Sequence, residues 1–240
     1  MGKLGCKPID SFKLLWDKYI LYLTWKRLLP VNSVAIILII LNIYFSYKGF
    51  NDVNFFNKYK FNPAYIRRGE NIRYLSSGFL HVDTTHLIVN MFTFYFFADS
   101  VIYKVGSLNF LIIYFLSLIF GNILTYRLNK NNLNYNAVGA SGAVMGIVYA
   151  SILLNPNMTL FLFIIPMPGY LFGIGYLFYS IYSMKQYNDN IGHEAHLGGA
   201  IAGFFATLFI YPSVLFNNMF TVVVLLIPII YFYIKTNRNW

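Results

Sequence analysis

A single cysteine, Cys6, stands among 240 residues. That excludes an intrachain disulfide and any cysteine-based metal site. Charge is scarce as well: 11% of the chain is charged, where an ordinary soluble domain carries about 25%. Apolar residues make up 58% and aromatics 20%, and the mean hydropathy is positive. So little polar surface cannot cover a folded chain in water, and so much apolar side chain does not suit a disordered one. A soluble enzyme and a disordered chain are both excluded. What remains is an all-α, polytopic membrane bundle, with length for roughly six or seven spans of about 20 residues.

Acidic side chains are scarce as well, 8 against 18 Lys and Arg, for a net charge of +10. In a soluble chain this balance would point to nucleic acid. Here the cations gather in two places, residues 1–30 and the loop 48–81, and neither carries a zinc-finger or RNA-binding signature. Contact with anionic lipid headgroups explains them better, so the expected partner is the bilayer and not nucleic acid. Residues 1–30 mix Lys3, Lys7, Lys13, Lys18, Lys26 and Arg27 with apolar and aromatic residues, the pattern of an amphipathic segment lying on a membrane. No cleavable signal peptide is expected, because the first strongly apolar run begins near Val31 and is long enough to stay as an anchor.

The apolar runs predict a first span over 31–47, a second over 85–103, a third over 108–126 and a fourth from about Ala137 to before Pro156. Pro166 and Pro168 break the next run. That predicts a short membrane-edge segment over 159–165 and a fifth span over 169–184. A sixth covers 195–211, closed by Pro212, and a seventh candidate covers 215–234. The expected organisation is a basic N-terminal segment (1–30), one membrane domain (31–212) and an extra C-terminal span with a tail (213–240). Both basic clusters cannot be on the positive side if the N-terminus is, so charge alone does not orient the chain.

Polar side chains inside these spans are expensive and by default point to function. All four histidines fall in two clusters, His81 with His86 and His193 with His196. His86 and Asn90, four apart, lie on one helix face. There they could serve a developing negative charge or simply bond neighbouring helices. Between the clusters, Ser141 sits within Gly139-Ala140-Ser141-Gly142. Gly142 and Gly146 are four apart, as are Gly199 and Gly203, so each pair makes a small-residue face that admits close helix packing. If these faces meet, Ser141 and His196 come together, and a serine hydroxyl needs such a base to become a nucleophile. Glu194, two residues from His196, points to another face. A Ser–His dyad without an orienting carboxylate is therefore expected. A histidine metal site using His81, His86, His193 and His196 is the reading from another class, but His193-Glu194-Ala195-His196 lacks the spacing of a zinc protease.

Taken together these stretches resemble the rhomboid family of intramembrane serine proteases. The resemblance rests on Ser77-Gly78-Phe79-Leu80-His81 with His86, Asn90 and Met91, on Gly139-Ala140-Ser141-Gly142, and on Ala195-His196-Leu197-Gly198-Gly199 with Gly203. The stretch from Ile165 to His196 is also similar to bacterial members, notably those of the Bacteroidetes. The resemblance implies a six-helix core, Ser141 as nucleophile, His196 as general base, and His86 with Asn90 as oxyanion-hole side chains. It implies supporting roles for His81 and Arg73 and a mobile cap over 185–195. It further implies single-span membrane proteins as substrates, no metal or cofactor, and a multi-pass location in the bacterial plasma membrane. The sequence departs from the family where Met145 replaces an aromatic one turn after the nucleophile, where Ile72 precedes Arg73, and where Ile102 replaces a glutamate. A non-catalytic relative that only binds client spans is the alternative, and the presence of both Ser141 and His196 speaks against it.

Overall fold

The computed structural model describes residues 32–162, 165–184 and 191–239. The amphipathic segment expected over 1–30, and most of the cap expected over 185–195, lie outside the described residues. The first span is α1, Ser33–Asn51, started by the Asn32 side chain, which accepts from Val34 N–H at 3.0 Å. Three short helices then fold the basic loop: α2 (Val53–Tyr59), α3 (Pro63–Arg67) and α4 (Arg73–Ser76), followed by a 3-10 turn over Ser77–Phe79. Asp52 caps α2, and Asn62 caps α3 with Pro63 in its first turn, each satisfying N–H groups that a helix start leaves unpaired.

The second and third spans form one element, α5 (Thr84–Asn129), capped by Asp83. Gly106, at φ 81°, turns its two arms (84–105 and 107–129) without an intervening loop, a conformation that glycine adopts without strain. The central helix is α6, Ser141–Leu154, four residues shorter at its start than the sequence predicted. Residues 137–140 lie outside the helix instead: Phe61 and Ala137 exchange backbone hydrogen bonds, and the chain then turns at Gly139 and Ala140. Every residue of α6 from Gly142 to Leu154 is buried, as befits a helix that is apolar on all sides.

The membrane-edge segment is a two-stranded antiparallel hairpin, β1 (Thr159–Leu162) with β2 (Ile165–Pro168), a local exception in an otherwise helical molecule. The fifth and sixth spans are α7 (Gly169–Ser183) and α8 (His193–Ile210). The seventh begins later than expected. A short α9, Val214–Asn217, precedes α10, Met219–Asn239, which is long and apolar enough to cross a membrane and contains Pro228.

Close packing in the centre follows the glycines. A Cβ at Gly199 on α8 would fall 2.6 Å from the Gly142 carbonyl carbon, and one at Gly203 would fall 2.5 Å from Gly146 Cα. Gly121, in the second arm of α5, lies against the Ala195 carbonyl oxygen, and Gly146 lies against Ser117 of α5. The two small faces read from the sequence therefore do pack on each other, with α5 closing the third side. Where spans are not already driven together by water, such backbone approach supplies the van der Waals contact that holds them. Polar pairs add to it: Ser100 and Ser151 share a hydrogen bond of 2.7 Å between α5 and α6, and Asn218 donates to the Leu153 carbonyl at 2.7 Å.

Candidate active site

Ser141 is the first residue of α6, and Ala140 before it offers no side-chain cap. The opening N–H groups of the helix thus surround a hydroxyl at its positive end. Gly139, at φ 133°, supplies the turn into the helix. A Cβ there would stand 2.8 Å from His86 Cε1, 3.0 Å from His86 Nε2 and 3.6 Å from Ser141 Oγ. The glycine is needed for both its conformation and its lack of a side chain. Its open face is the point on which the His86 ring and the Ser141 hydroxyl converge. His86 is held by its own N–H, which donates to Asp83 at 2.7 Å. Asn90, buried one turn further on, donates through Nδ2 to the His86 carbonyl at 3.0 Å.

His81 fixes this turn from behind. Its Nε2 accepts from Ala140 N–H at 3.5 Å, which places the ring proton on Nδ1, 2.8 Å from Ser46 Oγ. Ser46 in turn donates to the Phe79 carbonyl at 3.1 Å. The chain of bonds needs a neutral imidazole, since an imidazolium could not accept from Ala140. Burial, with a smaller contribution from neighbouring His86, pushes the His81 pKa down to about 3, against a smaller opposing pull from Asp83. Between about pH 6.5 and 3 the unfolded chain therefore takes up a proton that the native one refuses, and stability falls as pH falls. The loss is about 1 kcal/mol per pH unit in that window. Melting temperatures in detergent between pH 7 and pH 4 are expected to fall more steeply for the native protein than for His81→Gln, whose amide can accept and donate without titrating. Parallel slopes would sink this account.

His196 lies in the first turn of α8, its N–H donating to the Gly192 carbonyl at 3.1 Å. Gly142, next to Ser141, faces the carbonyl oxygen of Ala195, next to His196, at 3.1 Å from an added Cβ. The glycine contact between α6 and α8 thus joins the positions that neighbour Ser141 and His196. Tyr176 of α7 reaches the same imidazole, its hydroxyl 2.7 Å from Nδ1.

A family model, the rhomboid domain, matches residues 68–213. The chain belongs to the rhomboid family. It is 29% identical over 195 residues to RHOMBOID-like protein 12, mitochondrial, of Arabidopsis thaliana, covering 73% of this chain and 58% of that one. It is 32% identical over 146 residues to the putative rhomboid protease YdcA of Bacillus subtilis, covering 58% and 67%. It is 28% identical over 140 residues to Rhomboid protein 1, mitochondrial, of Saccharomyces cerevisiae, covering 55% and 40%. The chain thus spans somewhat over half the length of the Arabidopsis relative. Family and apolar helices together make it an integral, multi-pass membrane protein of a family of intramembrane proteases.

The remaining residues read from the sequence fall into place around this rhomboid core. Arg73 is buried away from the hydroxyl, where it ties the loop together. It pairs with Glu70 at 2.7 Å, donates to the carbonyls of Asn57 at 2.9 Å and Lys60 at 2.7 Å, and lies over the Tyr65 ring. Met145 is buried one turn below Ser141. Ile102 is buried and Ile72 exposed. Glu194 accepts from Asn129 of α5 at 3.3 Å, facing away from His196 as its spacing required. The four histidines form two T-shaped pairs, His81 with His86 at 4.9 Å and His193 with His196 at 6.2 Å. Among the described residues no three His, Cys, Asp or Glu side chains gather as a metal site. Tyr176, Ser46 and Glu70 were not anticipated. Tyr176 is one of 21 tyrosines, so its residue type carries no signal. Ser46, the one serine near the end of the first span, was the one that could have been singled out.

Proposed function

We propose that this rhomboid is an intramembrane serine endopeptidase acting through Ser141 and His196. The observation that carries the reading is the approach of Gly142 to Ala195, the chain neighbours of a helix-start serine and of a histidine whose Nδ1 is engaged by Tyr176. In this scheme Nδ1–H donates to the Tyr176 hydroxyl oxygen, which leaves Nε2 unprotonated to act as the general base. Nε2 takes the Ser141 proton as Oγ attacks the scissile carbonyl carbon, and the electron pair moves onto the carbonyl oxygen. The first N–H groups of α6, with His86 and Asn90 behind Gly139, stabilise that oxyanion. Collapse breaks the C–N bond, and the imidazolium gives its proton to the leaving amine. Water then repeats the sequence on the acyl ester and frees Ser141.

Helical carbonyls are hydrogen-bonded and shielded, so the substrate class is a single-span membrane protein whose helix is weakened near the cut by Gly, Pro or polar residues. The proposed location is a bacterial plasma membrane, supported by the likeness to the Bacillus protein. Detection of the protein in mitochondria would overturn that part alone. The test of the activity is cleavage of such a reporter span by the purified protein in liposomes. Cutting supports the reading. Binding of several spans without cutting would replace it with the non-catalytic one.

Tyr176 acts as a positioning residue in this scheme. Tyr176→Phe removes one hydrogen bond, worth about 1 kcal/mol net, and keeps the ring. Cleavage is expected to lose roughly fivefold in kcat with KM unchanged. An unchanged kcat would remove Tyr176 from the mechanism.

A further inference from the structure

Away from Ser141, a pocket of about 660 Å³ opens between the α2–α3 loop and the linker that follows α5. Such a volume suits a small ligand. Lys60 and Arg68 supply its charged lining and Tyr65 with four asparagines the neutral polar part, and no carboxylate is among the residues that form it. In a chain with 18 cations and 8 acids, a cation without a nearby acid is ordinary. Two that face one concavity, with four amides and a phenol around them, make a recognition chemistry.

The walls are also fixed. Asn62, itself buried, accepts from Ala64 and Tyr65 N–H with Oδ1. With Nδ2 it donates to the carbonyls of Leu133 and Tyr135 and to Asn136 Oδ1, each at 3.2 Å. One side chain therefore ties the helical wall to the linker wall. Arg67 adds a bond to the Lys130 carbonyl. Glu70, in the same loop, is already paired with Arg73.

We propose that this pocket binds a phosphate ester anion, with Lys60 and Arg68 as its charge partners and the amides of Asn57 and Asn134 as further donors. A guanidinium and an ammonium together match the oxygen array of a phosphate, the first as a fork and the second as a point charge. The ligand is a phospholipid headgroup or a soluble phosphate, which share this chemistry. The pocket wall runs directly into the catalytic turn. Phe61 and Ala137 exchange hydrogen bonds of 2.9 and 3.2 Å, Gly139 N–H donates to the Ser77 carbonyl at 3.0 Å, and Ala140 is bonded to His81. Filling the pocket steadies residues 133–140 and hence the start of α6. Binding itself does not depend on Ser141 being a nucleophile.

The test uses the full chain in a neutral detergent, titrated separately with short-chain phosphatidylglycerol, the matching diacylglycerol and inorganic phosphate. The readout is amide hydrogen exchange over 133–140. Phosphatidylglycerol is expected to protect these amides and diacylglycerol to leave them unchanged. Protection by inorganic phosphate at equal concentration would name a soluble ligand instead of a lipid. The double variant Lys60→Gln, Arg68→Gln is expected to weaken protection at least about tenfold, the cost of losing charge-assisted bonds. Asn134→Asp, which brings a carboxylate into the lining, is expected to do the same, provided each variant melts with the native protein in the absence of ligand. Should diacylglycerol protect as well as phosphatidylglycerol, or both variants bind like the native chain, the site is not a phosphate site. Absence of protection by any probe overturns it equally.

Discussion

Ser141→Ala and His196→Ala are each expected to slow reporter cleavage at least about 1000-fold, near 4 kcal/mol of transition-state stabilisation. The double variant is expected to be no slower than either single one. Without the hydroxyl the base has no proton to take, and without the base the hydroxyl stays a weak nucleophile, so the two losses are one loss counted twice. The residual rate would belong to the helix-start N–H groups, His86 and Asn90, which still polarise a bound carbonyl. This pattern separates catalysis from folding. Ser141 is half-buried at the start of α6, and removing its hydroxyl leaves the glycine contacts of Gly142 and Gly146 untouched. The measurement is single-turnover cleavage in liposomes, with melting of each variant alongside. Additive losses in the double variant would mean that Ser141 and His196 act independently, and the mechanism would fall.

How far the sequence could lead is set by what each residue type can signal. Gly142, Gly146, Gly199 and Gly203 were legible because spacing by four puts small residues on one helix face, and an absent Cβ has meaning only where two backbones meet. Glu194 was legible for the same geometric reason, pointing to Asn129 and not to His196. Ser141 was recognisable, but not that its helix begins with it. Residues 137–140 carry no local break strong enough to exclude a helix, yet Ala137 pairs with the distant Phe61 and Gly139 turns at positive φ. The segment 159–168 was legible only in part. Its prolines ruled out a helix, yet nothing local announces a hairpin in which Pro166 and Pro168 pair with Phe161 and Thr159. Proline is tolerated there because a two-stranded hairpin has only edge strands. Tyr176 is the instructive omission. Its role comes from α7 lying beside α8, a tertiary fact that no period in the sequence carries.

The packing that unites the site makes a second large effect, and one substitution type exposes it with opposite signs in two helices. Gly199→Ala on α8 would push a methyl group into the backbone of Gly142, onto its carbonyl oxygen and to 2.6 Å and 2.9 Å from its carbonyl carbon and Cα. Backbone cannot rotate aside as a side chain can, so α6 and α8 must part. Overpacking of a dense core costs about 1–3 kcal/mol and occasionally more. Here the displaced atoms also carry Ser141, and both melting temperature and cleavage are expected to fall. Gly175→Ala on α7 meets nothing within 4 Å. The same methyl there only replaces a poor helix former by the best one, a gain of up to about 1 kcal/mol. Thermal unfolding of the two variants beside the native protein in one detergent decides the matter. A Gly199→Ala protein that melts with the native one would mean that the two helices do not touch at Gly142. Its cleavage rate would then have no reason to change.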